Sequence, residues 1–176
     1  MKKWIISACL LMMQAGAWAK VTLPDIMSDN MVLQQQTEAC LWGKANANAE
    51  VTIRPSWNRE TYKVTAGADG KWIAKIKTPT ASYNAYTISI SDGEEIILNN
   101  VLVGEVWFCS GQSNIDVTIE RVYPQYTKDI DNYSNNDIRL FRVETDTDTH
   151  GPKTDVKPTR WVTANKQNAW LFSAVG

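Results

Sequence analysis

The segment Val101–Ile115 reads Val-Leu-Val-Gly-Glu-Val-Trp-Phe-Cys-Ser-Gly-Gln-Ser-Asn-Ile. Its first half, Val101–Phe108, is almost continuously apolar, which is typical of a strand covered on both faces. The apolar run then stops at small and polar residues, which favour turns. We therefore predict a strand over residues 101–108 that gives way to a turn and a helix, with Ser113 just past the end of the strand.

Ser113 is the residue of this segment that carries chemistry. A serine hydroxyl exposed on such a turn can attack an acyl carbon, while neighbouring backbone N–H groups hold the oxyanion that develops. The alternative is an ordinary strand-ending turn, where Ser, Gly and Asn are common. The α/β-hydrolase pattern Gly-x-Ser-x-Gly is not met, because Ile115 stands where its second glycine would be. Spacing alone leaves both interpretations of Ser113 open.

The residues before this segment, 20–100, predict an antiparallel β-sandwich. Apolar and polar side chains alternate along residues 71–77, with Ile73 as an exception, and along residues 86–91, as in strands with one buried face. A β-branched segment at residues 51–53 predicts another strand. Asp69-Gly70 and Asp92-Gly93 are hairpin-turn signals, and strands spaced by about 8–12 residues suggest a sandwich.

The residues after it begin a different pattern. Residues 117–135 carry apolar side chains at helical spacing, with Pro124 expected to interrupt the helix. Residues 138–143 predict a strand and residues 145–159 a polar loop. A strand, a helix and a strand form a βαβ unit, the start of a parallel sheet. The predicted fold class is therefore α/β with an N-terminal all-β domain: an antiparallel β-sandwich over 20–100, then an incomplete parallel α/β domain over 101–176.

Residues 1–19 predict an export signal. Lys2 and Lys3 precede an apolar run that is too short to span a bilayer, and Ala17-Trp18-Ala19 fits the small-x-small cleavage pattern. We expect cleavage near Ala19, so that the mature chain is secreted or periplasmic and has no membrane anchor.

Charge, cysteines and the histidine exclude several classes of function. The formal net charge of −1 provides no electrostatic footprint for nucleic acid or an anionic membrane.

Cys40 and Cys109 remain after signal cleavage. A disulfide between them is open, but burial as small apolar side chains is the favoured interpretation. His150 is the only histidine, and its surroundings do not reproduce the spacing of metal ligands, so we expect a surface-loop residue and no metal.

Several motifs resemble those of the sialate O-acetylesterases, a family of SGNH-type (GDSL-like) serine hydrolases. The resemblance is carried by Gly111-Gln112-Ser113-Asn114 with Val103–Trp107 before it, by Leu23–Gln35, by Ile138–Phe141, and by Trp161 with Phe172–Gly176. It covers nearly all of the chain after the predicted signal. Ile115 departs from the family, which usually has Met there. Acetylxylan esterases of related type carry a similar Gly-Gln-Ser-Asn.

The resemblance implies a carbohydrate esterase that removes O-acetyl groups from sugars such as acetylated sialic acid, without a cofactor or metal. It implies that Ser113 is the nucleophile and that its own N–H serves the oxyanion hole, while Gly111, Gln112 and Asn114 shape this loop. The family's later oxyanion-hole residues and its catalytic Asp and His have no matching positions here. We therefore expect an N-terminal portion of an SGNH hydrolase, inactive without the C-terminal part of the hydrolase domain.

The tryptophans raise a second class of function. Aromatic faces stack on sugar rings, so the chain is alternatively a secreted, non-catalytic β-sandwich that binds carbohydrate. Trp72 and Trp107 lie in apolar strand patterns and are expected to pack in the core. Trp57, flanked by polar residues, is the expected exposed tryptophan and the candidate for sugar stacking. An acetylxylan-type esterase is the other alternative, because Gly-Gln-Ser-Asn does not specify the sugar.

Overall fold

The computed structural model describes residues 21–153 and 155–176 of the chain. The predicted export signal, residues 1–19, lies outside this range. None of the helices in the described range has the length and apolar character needed to cross a membrane.

The described residues form mainly β-strands, which confirms the predicted β-rich character. In chain order the elements are β1 Val32–Gln34, β2 Glu38–Lys44, β3 Glu50–Pro55, β4 Tyr62–Thr65, β5 Lys71–Lys77, β6 Ser82–Ser91, β7 Glu95–Gly104, α1 Ile119–Asp131, β8 Ser134–Leu140, β9 Val162–Asn165 and α2 Lys166–Ala169. The strands form a five-stranded sheet in the order β1-β7-β6-β3-β4 and two two-stranded sheets, β2-β5 and β8-β9. β1 pairs with β7 in parallel, and the other paired strands are antiparallel.

The five-stranded sheet and the β2-β5 sheet share one hydrophobic core. Every second residue of β5 is buried, and the residues between are exposed, as the alternating sequence predicts. Trp72, Ala74 and Ile76 point inward, whereas Ile73 lies on the outer face. They meet buried β-branched residues of the larger sheet, including Ile53 and Ile88. Burial of these apolar side chains holds the two sheets together.

One of the two Asp-Gly signals is a hairpin and the other is not. Asp92-Gly93 joins β6 to β7, which pair from Ser91 opposite Glu95. Asp69-Gly70 instead links β4 to β5, which belong to different sheets, so that hairpin prediction is wrong. The physical reason is that β5 takes its backbone hydrogen bonds from β2. Gly70 has φ +77°, and a Cβ there would lie 2.6 Å from the carbonyl oxygen of Ala45. A side chain is therefore excluded at this turn.

The strand predicted over residues 101–108 ends early. β7 starts at Glu95, crosses residue 100 without a break and stops at Gly104. Its last residues pair with β1, with Leu102 opposite Val32. Residues 105–110 carry no strand pairing, because β1 ends at Gln34 and offers no further backbone partners.

The predicted helix forms, but the predicted parallel βαβ unit does not. α1 begins after Thr118, whose hydroxyl accepts the backbone N–H of Arg121 as an N-cap, at 3.3 Å. Its backbone becomes non-helical at Tyr126, two residues beyond Pro124. β8 covers 134–140 rather than 138–143, and it pairs with β9 in antiparallel fashion. Residues 105–110 form no strand edge, so β8 takes β9 as its partner within the described residues. The division into two domains at residue 100 stays a prediction.

The position of the core predicts that alanine substitutions at two isoleucines change the free energy of unfolding by very different amounts. Ile53→Ala removes a fully buried side chain and should lower the free energy of unfolding by about 2–5 kcal/mol. Ile97→Ala, at an exposed position of β7, is the matched control and should change it by less than about 0.5 kcal/mol. Urea denaturation followed by circular dichroism measures both. Equal losses would contradict the placement of the core.

Candidate active site

Ser113 lies exposed on a turn between the extended segment 105–110 and helix α1. Two backbone hydrogen bonds close the turn: the N–H of Asp116 donates to the carbonyl of Gln112, and the N–H of Val117 donates to that of Asn114, each at 3.3 Å. Two of the residues expected to shape this loop therefore contribute carbonyls that close it. Gly111 precedes the turn, and a Cβ there would make ordinary contact with Ile115 at 3.4 Å.

The C-terminal residues 170–174 fasten the downstream end of this turn. The N–H of Ile119 donates to the carbonyl of Phe172 at 3.0 Å, and the N–H of Ala174 donates to that of Val117 at 2.7 Å. Thr118 also forms an isolated β-bridge with Ser173. The N–H groups of Ile119 and Glu120, which have no partner within the helix, donate to this segment, the latter to the carbonyl of Trp170 at 3.0 Å. The residues just after the Ser113 turn are therefore anchored.

Lys166 holds the middle and the end of α1. Its Nζ lies 2.5 Å from Oδ1 of Asp131 and 3.1 Å from the hydroxyl of Tyr123, whose ring centroid is 4.4 Å away. The hydrogen bond to Asp131, and then that to Tyr123, raises the pKa of Lys166. Lys166, and then the hydroxyl of Tyr123, which donates to the same carboxylate at 2.8 Å, lower the pKa of Asp131. Both ionised forms are favoured, so α1 stays tied to α2 near neutral pH.

Glu105 anchors the upstream end. Gln35 Nε2 donates to one carboxylate oxygen at 2.6 Å, and Gln34 Nε2 donates to the other at 3.1 Å. Gln34 also accepts the backbone N–H of Val106 at 2.8 Å. The bond from Gln35, and then that from Gln34, lowers the pKa of Glu105. We call this arrangement the Glu105 clamp. It fixes the chain where it leaves β7 towards Ser113.

Arg139 of β8 is held by the side chains of Asn30 and Asn100. Its Nη1 donates to Oδ1 of Asn30 at 3.3 Å, and its Nη2 donates to Oδ1 of Asn100 at 3.4 Å. The two asparagines are bonded to each other at 2.7 Å, and both have a positive φ. Burial lowers the pKa of Arg139, but an arginine keeps its charge. No spacing rule identifies this contact, although the family-like segments 23–35 and 138–141 contain two of its members.

A groove of about 630 Å³ lies between the end of β7 and β8. Its lining includes Glu105, Trp107, Cys109, Phe141 and Trp161. The rings of Phe141 and Trp161 lie 5.1 Å apart, and the indole N–H of Trp161 donates to the carbonyl of Ile26 at 2.8 Å. Ser113 does not line this groove.

Two predictions about burial are wrong: that Trp107 packs in the core, and that Cys40 and Cys109 are buried. Trp107 is 83% exposed, because residues 105–110 leave the sheet before they can be covered. Cys109 is exposed on the same segment, and Cys40 lies on the outer face of β2. Both thiols are free, so the structure contains no disulfide between them.

Within the described ranges, His150 is not placed to act as a base for Ser113, and no cluster of metal ligands is present. The ring of His150 is 94% exposed and lies 3.1 Å from Oδ1 of Asp148. The Ser113 hydroxyl makes no hydrogen bond to a residue within 21–153 or 155–176. Over the same residues, no three His, Cys, Asp or Glu side chains lie together in a way that would hold a metal ion.

Trp57 is not the exposed tryptophan that the sequence suggests. It is half-buried, with its ring edge-on to Tyr86 at 5.5 Å, and its indole N–H donates to the carbonyl of Lys77 at 2.9 Å. The polar residues around it predict exposure, but Tyr86 of β6 covers it. Among the tryptophans that the structure describes, Trp42 and Trp107 are the more exposed.

Comparison with known proteins agrees with the resemblance seen in the sequence. No family model matches the chain. The sialate O-acetylesterase of Rattus norvegicus is 28% identical over 137 residues, which cover 73% of this chain and 25% of that protein. The enzyme of Homo sapiens is 29% identical over 107 residues, 55% of this chain and 20% of that protein. The chain thus spans a quarter or less of these curated relatives.

A solved structure extends the likeness to the fold. The crystal structure of a carbohydrate acetylesterase from Xanthomonas citri matches with a TM-score of 0.75 and 28% identity, over 89% of this chain and 35% of that one. The resemblance to the N-terminal portion of the sialate O-acetylesterases is confirmed.

The Glu105 clamp predicts a pH-dependent stability. The pKa of Glu105 in the folded chain lies below its unfolded value, which is about 4.3 for a free glutamate. The clamp therefore stabilises the fold above that pH, and its contribution is lost as the pH falls through the folded pKa. Glu105→Gln should lower the urea midpoint at pH 7 and reduce its fall between pH 7 and pH 3.

The control for this measurement is Glu144→Gln, which changes an exposed carboxylate of the loop after β8. That variant should follow the parent chain at both pH values. A Glu105→Gln variant with the pH dependence of the parent would show that the clamp does not couple to folding.

The Arg139 contact predicts a local effect on β8. Arg139→Ala leaves the side-chain oxygens of two asparagines without this donor and should cost about 1 kcal/mol. Amide hydrogen exchange should accelerate in residues 134–140 and remain unchanged in β5. Arg142→Ala, just beyond the strand, is the control. Unchanged exchange in β8 after Arg139→Ala would contradict the role of this contact.

Proposed function

Because the chain matches the N-terminal portion of the sialate O-acetylesterase family, we propose that it carries the nucleophile of an exported serine esterase of the SGNH type. The substrates are O-acetylated sugars such as acetylated sialic acid. The single observation that carries this proposal is the exposed Ser113 hydroxyl on a closed turn just before α1.

The chemistry is acetyl transfer to the serine and then to water. Ser113 Oγ attacks the acetyl carbonyl carbon, the bond to the sugar oxygen breaks, and that oxygen takes a proton as the sugar leaves. Water then hydrolyses the acetyl-serine ester and releases acetate. The backbone N–H of Ser113 stabilises the oxyanion of both steps. Gly111, Gln112 and Asn114 hold the turn in the shape that presents this N–H.

Activation of Ser113 requires a base from elsewhere in a complete hydrolase domain. A serine hydroxyl is a weak nucleophile near neutral pH unless a base accepts its proton. His150 does not fit that role, because its ring contacts Asp148 and faces solvent. We infer that a His and an Asp from the remaining part of the domain complete the site, and that the chain alone does not hydrolyse esters. No cofactor or metal takes part in this mechanism.

The names of the relatives specify the sugar to different degrees. The curated relatives are sialate O-acetylesterases, whereas the solved relative from Xanthomonas citri is described as a carbohydrate acetylesterase. An acetylxylan-type substrate would use the same serine chemistry. We propose that the export signal predicted for residues 1–19 directs the chain out of the cytoplasm and that the reaction takes place there.

A chimaera tests the proposed role of Ser113. In the chimaera, this chain replaces the matching part of the Xanthomonas citri acetylesterase. The match covers 35% of that protein. The chimaera should release acetate from O-acetylated sialic acid. Ser113→Ala in the chimaera should reduce kcat by at least about 10⁴-fold, the scale seen when a catalytic serine is removed.

Ser110→Ala is the matched control, because it removes a hydroxyl from the same exposed segment three residues earlier. It should retain most of the activity. The chain alone should show no serine-dependent turnover of p-nitrophenyl acetate. An active Ser113→Ala chimaera would overturn the assignment of the nucleophile, and turnover by the isolated chain would overturn the need for an external base.

A further inference from the structure

The outer face of the β2-β5 sheet combines an exposed tryptophan with lysines. Trp42 lies directly opposite Ile73, and Lys44 lies opposite Lys71 in the antiparallel register. Because side chains alternate across a strand, these four share the face that points away from the core. Trp42 is 41% exposed, and its neighbours on this face are exposed as well.

Two of the lysines of this face, Lys44 and Lys71, lack full local compensation. Like charges directly opposite each other on a sheet are destabilising. Lys71 reaches Oδ2 of Asp69 at 3.2 Å, whereas Lys44 forms no ion pair with any residue that the structure describes. An anion placed between the two ammonium groups would relieve their repulsion and gain charge-assisted hydrogen bonds.

The same residues line a groove. Its volume is about 490 Å³, and its lining includes Trp42, Gly43, Lys44, Lys71, Ile73 and Asp155. Gly43 keeps its floor tight, because a Cβ there would lie 2.4 Å from the carbonyl oxygen of Thr22. Trp72 also lines the groove, is 3% exposed, and its indole N–H has no hydrogen-bond partner in the described part of the chain.

We propose that this groove binds a carboxylate-bearing sugar, with the indole of Trp42 against the sugar ring and the carboxylate between Lys44 and Lys71. An aromatic ring supplies flat apolar area to a sugar face, and ammonium groups supply the charge that selects an acidic sugar over a neutral one. The groove does not include Ser113 or its turn. It is therefore a second glycan-binding site, separate from the proposed acetyl-transfer site.

Charge on the rim of the groove favours one carboxylate over an extended polyanion. Asp155 lines the groove and Asp69 lies beside Lys71, so further negative groups would meet repulsion. The chain as a whole has a formal net charge of −1. A nucleic acid or an anionic membrane needs several phosphates neutralised at once, and the groove, with its two lysines beside two aspartates, does not provide that.

The test compares two sugars that differ by one acidic residue, 3′-sialyllactose and lactose, in calorimetric titration of the whole chain. Neither sugar is O-acetylated, so ester chemistry does not enter the measurement. We expect sialyllactose to bind more tightly than lactose and to weaken as salt rises. Trp42→Ala should weaken sialyllactose binding at least about tenfold, as expected for a central aromatic contact.

The Lys44→Gln and Lys71→Gln double variant should abolish the preference for sialyllactose over lactose. It also keeps the test decisive if Trp42→Ala fails to fold. Trp107→Ala and Lys63→Gln remove an exposed indole and an exposed ammonium group outside the groove, and they should leave binding unchanged. Equal binding of both sugars, no binding of either, or equal effects of the control variants would each overturn the proposal.

Discussion

The carboxylate of Glu105, held between the amides of Gln34 and Gln35, joins the β-rich first half of this chain to the segment that presents Ser113. β7 loses its last strand partner at Gly104, so the next residue sets the direction of the chain. Side-chain amides take over there as donors where backbone pairing ends. The parallel pairing of β1 with β7 places Gln34 and Gln35 beside Glu105, and the shared core in turn holds both strands in place.

Ser113 lies between two anchored points on an exposed turn. Upstream is the Glu105 clamp, and downstream are the bonds from the start of α1 to residues 170–174. A reactive side chain on a loop needs such fixed ends, because its geometry depends on the rigid elements around it. The described residues supply the turn and its anchors but no base within hydrogen-bond distance of the hydroxyl. This is the physical basis for the proposal that the nucleophile lies here and the base in another part of a complete domain.

The sequence motifs located the serine turn but not the contacts that hold it. Ser113 and the closing residues Gln112 and Asn114 are neighbours in the chain, so a local pattern can identify them. Arg139 meets Asn30 across 109 residues, and Gln35 meets Glu105 across 70. Such contacts depend on how strands pair. Neither composition nor periodicity indicates which strands pair. For Arg139 and Asn30, the only indication in the sequence is that both lie in segments that resemble the family, 138–141 and 23–35.

Local alternation by itself determined which residues of β5 and β6 face the core, because side chains of a strand point to opposite faces whatever its partners are. Helical spacing of apolar residues predicted the helix within residues 117–135, and the Asp-Gly pair predicted the turn at Asp92-Gly93. Tertiary structure alone decided which strands pair, so Asp69-Gly70 joins two sheets and β8 takes β9 as its partner. It also decided that Trp107 and Cys109 are exposed while Trp57 is covered. Burial of an apolar residue depends on whether another element lies over it, and that element is distant in the chain.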